Sequence, residues 1–145
     1  MAESGSAVEP PLPDPRFDPT ERLYRRIPWR DVEAGAVSDA SIPSPAFSVD
    51  RAKYRIRPAD MLIDYPDQGV AVFHVEDIPA SILSDDGRRY DFGVEHQPVP
   101  DNYAHSEVHT YYGGERMDDL GKEPPRQVRK KFRDLLRQRI EILEI

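Results

Sequence analysis

With 145 residues, 38% hydrophobic side chains, a mean hydropathy of -0.70 and a formal net charge of -7, the chain can fill one core and lacks the basic field that nucleic-acid binding draws on. It contains no cysteine, which removes disulfides, thiolate metal sites and a cysteine nucleophile and leaves histidine and carboxylate chemistry. Residues 1–6 have neither a basic start nor an apolar run, and 18 consecutive apolar residues occur nowhere, so the expectation is a soluble, cytoplasmic protein with no membrane partner.

Residues 1–19 are rich in proline, with Pro10, Pro11, Pro13, Pro15 and Pro19. Proline removes backbone donors and biases the chain towards polyproline II, and few apolar groups are present to offset the entropy of ordering. The segment reads as a disordered tail ahead of a single α+β domain over residues 20–145. A tail of this composition can also dock in an aromatic groove.

Leu23-Tyr24-Arg25-Arg26-Ile27 alternates as a strand and places Arg25 on one face between Leu23 and Ile27. A charge so placed needs a partner, either a carboxylate of the fold or a bound anion. Residues 31–45 are small and polar and read as a long surface loop, followed by short strands at 46–50 and 53–57. Pro58 sits where a helix has its first turn, so a short helix is predicted from there to Asp64.

Residues 69–75 are apolar on both faces and β-branched, the pattern of a central strand, and His74 within them reads as a hydrogen-bonded core histidine. Residues 79–83 suggest a helical turn and Asp86-Gly87 a chain reversal. Tyr90, Phe92 and Val94 then alternate with Asp91, Gly93 and Glu95 as a half-buried strand. An amphipathic helix is predicted at about residues 124–144, with Val128, Phe132, Leu135, Leu136, Ile140 and Leu143 on one face. Between Lys122 and Arg139 eight Lys or Arg face two acids, so this helix either lies on the acidic body or meets an acidic partner. The expected fold is therefore α+β: a small mixed or antiparallel sheet with short helices and a long C-terminal amphipathic helix.

The densest chemistry lies at residues 100–112, which hold His105, Glu107, His109 and three tyrosines. As a strand, the segment sets His105, Glu107, His109 and Tyr111 on one face; as a helix, it stacks His105 over His109. The Val, Thr and Tyr content of its second half and the Gly113-Gly114 pair favour the strand. His105, Glu107 and His109 then form a candidate divalent-metal set or a base with its orienting acid, and the alternative is a polar strand face with no cofactor.

On Leu23-Tyr24-Arg25-Arg26-Ile27, Ser44-Pro45-Ala46-Phe47, Ser48-Val49-Asp50, Gly69-Val70-Ala71 and Pro98-Val99-Pro100-Asp101-Asn102-Tyr103-Ala104-His105, the chain resembles a group of uncharacterised bacterial proteins. The resemblance covers about residues 22–108 and omits the tail and the last helix. It implies a strand after the Asn102-Tyr103-Ala104-His105 element and singles out Arg25, Ser44, Asn102 and His105 as shared polar positions, while Glu107 and His109 fall outside the pattern. It implies no reaction.

Two functions are expected. The first is a small non-catalytic accessory or regulatory protein that engages a protein partner through its basic C-terminal helix or its tail. The second is an enzyme in which Arg25, Ser44, Asn102 and His105 converge on a nucleotide or phosphate-bearing substrate. The order of an early-strand arginine, a serine strand and a later Glu107 or Glu115 is similar to the ADP-ribosyltransferase layout, without a glycine-rich phosphate loop.

Overall fold

The computed structural model describes residues 11–144 except positions 45 and 56. Among the described residues ten strands are formed: β1 (Arg22–Pro28), β2 (Val32–Glu33), β3 (Ala36–Val37), β4 (Ala46–Arg51), β5 (Gln68–His74), β6 (Ser81–Leu83), β7 (Arg89–His96), β8 (His105–Tyr112), β9 (Glu115–Arg116) and β10 (Glu141–Ile142). Eight of them make one sheet in the order β10-β5-β1-β4-β8-β7-β6, with β9 on β8, while β2 and β3 form a separate hairpin. Every strand pairing among the described residues is antiparallel.

This corrects the expected α+β class. The chain is mostly antiparallel sheet, 37% strand against 24% helix, curled into a half-barrel with a single α-helix among the described residues, α1 (Arg126–Arg137). The predicted short helices are at most 3₁₀ turns, such as Pro58–Leu62. The stretch 79–83 instead supplies β6, which pairs with β7 through Ile82↔Tyr90.

The C-terminal helix also stops earlier than its hydrophobic spacing suggests. Ile140 and Leu143 fit a helical repeat, but beyond Arg137 the chain turns and Glu141–Ile142 joins β5 as an edge strand. The Leu143 N–H then donates to the Val70 carbonyl at 2.8 Å. A strand edge with unpaired N–H and C=O groups offers more hydrogen bonds there than another helical turn would.

Strand alternation divides the sheet into two faces. Leu23, Phe47, Val49, Phe73 and Val108 lie on the helix side and form the main core with Val128, Phe132 and Leu136 of α1. The Phe132 ring stacks on Phe92 at 4.4 Å between centroids and meets Phe47 at 6.3 Å. Much of the basic charge of the helix is used inside the chain. Arg133 donates to the Ile42 carbonyl, Arg137 to the Val37 carbonyl and to Asp39, and Arg129 and Lys130 pair with Glu123 and Asp134.

On the opposite face Tyr24, Met61, Val70 and Val72 make a smaller cluster. Trp29, 49% exposed, lies flat on β5, where a Cβ at Gly69 would come within 2.5 Å of its ring. His74 is half-exposed at the end of β5 beside Asp77, rather than in the core.

Candidate functional site

β1 and β4 pair at only two positions, Leu23↔Arg51 and Tyr24↔Asp50, and then part. The side chain of Arg25 spans the gap, donating from Nη1 to the Ser48 carbonyl and from Nε to the Ser41 carbonyl, both at 2.6 Å. Its guanidinium also lies 5.0 Å from the Phe47 ring centroid. Arg25 has no carboxylate partner among the described residues; burial, and then the neighbouring charge of Arg26, pull its pKa down to about 10.

Where the strands separate, a cleft of about 280 Å³ opens. Arg26, Tyr65, Ser48, Asp50, Asn102 and His105 are among the residues that line it. Arg26 alternates with Arg25 and so lies on the face away from the helix, its guanidinium 3.9 Å from the Tyr65 ring centroid. No carboxylate pairs with it among the described residues. Asp50 does not supply the missing charge: Arg55 holds it at 2.7 and 2.9 Å, and Asn102 donates to its other oxygen at 3.1 Å.

On the opposite wall the backbone sets the state of His105. Its Nδ1 lies 2.8 Å from the Gln97 carbonyl, which can only accept a hydrogen bond, so Nδ1 carries the hydrogen whenever the ring holds a single one. Nε2, with no partner among the described residues, is then an acceptor beside the cleft.

The candidates named from sequence are thus divided. Asn102 and His105 line the cleft together. Arg25 lines it as well, but its guanidinium is engaged with backbone carbonyls and Phe47. Ser44 is elsewhere, at a cavity of about 10 Å³ with Phe92, Phe132 and Arg129, room for no more than one water.

His105, Glu107 and His109 do alternate on one face of β8, and all three contact Gln97, through its carbonyl, its side-chain nitrogen and its side-chain oxygen in turn. Glu107 accepts from the Gln97 side chain at 3.2 Å, while buried His109 lies 3.0 Å from Asp118 and 2.6 Å from the Gln97 side-chain oxygen. Among the described residues no three His, Asp or Glu groups come together as a metal-holding set. Glu115, the other acid of the transferase-like order, is exposed on β9.

Arg26 and Tyr65 are the cleft residues that sequence reasoning missed. The same alternation that drew attention to Arg25 assigns Arg26 to the other face, and that signal was available.

Beyond the cleft the sheet carries a second polar cluster. Gly113 and Gly114 both take positive φ, 60° and 82°, which closes the β8–β9 hairpin and returns Arg116 beside Tyr111. Arg116 forks onto Glu95, and the Tyr111 hydroxyl donates to the same carboxylate. Arg116 first, and then Tyr111, hold Glu95 below the ordinary carboxylate range, while burial and Glu95 push the Tyr111 phenol up.

Asp14 is likewise lowered, by the Tyr54 hydroxyl and then Lys53. For both carboxylates the folded pKa lies below the unfolded one, so their stabilisation is present above about pH 4.5 and is lost as pH falls through the folded values. The melting temperature should therefore drop on acidification below about pH 4.5. Glu95→Gln should melt lower at neutral pH and decline less steeply in acid; parallel curves for the two proteins would contradict this assignment.

No protein-family model, curated protein or solved structure matches the chain. No helix among the described residues is long and apolar enough to cross a membrane.

Proposed function

We propose that the protein binds a small phosphate-bearing anion in the cleft between β1 and β4. The observation that carries this reading is Arg26, a cation on the Tyr65 ring with no carboxylate partner among the described residues. An arginine presents a planar fork suited to phosphate oxygens. Asn102 and the free His105 Nε2 face the same space, one able to donate and the other to accept from a ligand hydroxyl.

Size narrows the class. Sites for drug-sized ligands begin at roughly 300 Å³, and the cleft, at about 280 Å³, suits a phosphorylated sugar or a mononucleotide fragment better than a dinucleotide. An accessory role through the C-terminal helix has less support, because its apolar side and several of its charges are already engaged within the chain.

Titration with inorganic phosphate, phosphorylated sugars and mononucleotides should raise the melting temperature, since a ligand that binds only the folded state stabilises it. Arg26→Gln should abolish the shift while lowering the unliganded melting temperature by no more than about 4 °C, the loss of one half-exposed cation–π contact. Equal shifts in both proteins, or none in wild type, would refute the reading.

A further inference from the structure

Residues 11–17 belong to no helix or strand and make no backbone-to-backbone hydrogen bond among the described residues, yet side chains of the body hold them at several points. The Tyr103 hydroxyl donates to the Leu12 carbonyl at 3.0 Å. The Asp14 N–H donates to His96 Nδ1 at 2.8 Å, and the Tyr54 hydroxyl and Lys53 hold the Asp14 carboxylate at 2.6 and 3.0 Å. Arg51 donates to the carbonyls of Asp14 and Arg16 at 2.6 and 2.7 Å, and its guanidinium lies 3.8 Å from the Phe17 ring centroid.

Contacts within the body also hold the receiving surface, and Phe17 packs at the margin of the main core. Tyr54 stacks on His96 at 5.6 Å and meets Tyr103 edge-on at 4.8 Å, and His96 Nε2 is fixed at 2.6 Å from the Tyr103 carbonyl. Arg51 is anchored by a fork onto Glu21. Aromatic-lined grooves receive extended proline-rich segments in general, and here Tyr103 donates to a carbonyl of the segment while Tyr54 donates to its carboxylate.

We infer that Tyr54, His96, Tyr103, Arg51 and Lys53 form a peptide seat, that residues 11–17 are its tethered occupant, and that a proline-rich acidic segment of a partner protein, with an aromatic residue three positions after the acid, competes for it. The occupant in place shows the chemistry required: Asp14 between Pro13 and Pro15, then Phe17, against one lysine and one buried arginine. This inference goes beyond the anion cleft and does not depend on it.

A short tether supplies the occupant at an effective concentration on the order of millimolar. A labelled peptide with the sequence of residues 11–19 should therefore bind the intact wild-type chain weakly. It should bind full-length Asp14→Lys, in which a third cation repels the segment from Lys53 and Arg51, at least about tenfold more tightly. Fluorescence anisotropy reads both. Phe17→Ala is the second variant, should Asp14→Lys not fold. Adding Tyr103→Phe to either should weaken the peptide about fivefold, the loss of one hydrogen bond.

Failure of a folded arm variant to bind the peptide, or equal binding of a scrambled sequence, would overturn the inference. So would a wild-type dimer that the peptide dissolves, because it would give the seat to the arm of a second copy rather than to a partner.

Discussion

Arg51→Met should destabilise the protein by about 3–5 kcal/mol, the cost of breaking a buried pair by removing one partner. Arg51 is 0% exposed and meets four acceptors: both Glu21 oxygens and the carbonyls of Asp14 and Arg16. Burial opposes its charge, but the Glu21 carboxylate outweighs this and holds its pKa above the ordinary value. Methionine would fill the volume and leave the charge of Glu21, whose side chain is 6% exposed, facing only Lys53 at 3.8 Å. Against a total of about 5–15 kcal/mol for a domain, that loss brings the fold near its limit. Arg51→Lys should rescue little, because an ammonium cannot serve a fork and two carbonyls at once. In urea unfolding, Glu21→Gln with Arg51→Met should cost less than the sum of the single variants, and strict additivity would show that the two are not coupled.

Phe132→Ala should be comparably severe, about 3–5 kcal/mol. Phe132 is the residue of α1 that touches two aromatic rings of the sheet, Phe92 and Phe47, and a methyl in its place leaves a void between rigid walls. A melting-temperature fall of more than about 10 °C is expected. Leu135→Ala, one position before Leu136 but 37% exposed, should by contrast lie within about 1 kcal/mol of wild type. If the two variants melted alike, the helix would not be seated by the side chains assigned to it.

The strands were legible wherever one face meets the core. Residues 46–50, 69–75, 90–95 and 105–112 alternate or run apolar, and β4, β5, β7 and β8 are found there. Elements decided by distant partners were not legible. Three residues of β6 following Pro79 carry no period of their own, and their conformation is set by Tyr90 across the ladder. Ile140 and Leu143 satisfy a helix and an edge strand equally, and the open side of β5 decides between them.

The site was legible in the same measure. Asn102 and His105 stand on one short stretch, so their proximity is local. Arg26 with Tyr65 is a pairing across 39 positions that no spacing announces. The docked part of the leader was hidden for a related reason. Composition describes what Pro11 to Phe17 can bury, and not what Tyr54, His96 and Tyr103 offer them.

The late position of β10 has a bearing on biosynthesis. Its partner β5 is complete some seventy residues earlier, and until Glu141 and Ile142 arrive the Ala71–Val72 margin of the sheet stands open with an apolar lining. A nascent chain, or one clipped after Arg137, therefore presents a bare β5 border able to recruit a foreign strand. Glu141 and Ile142 act as a hem over this border of the sheet.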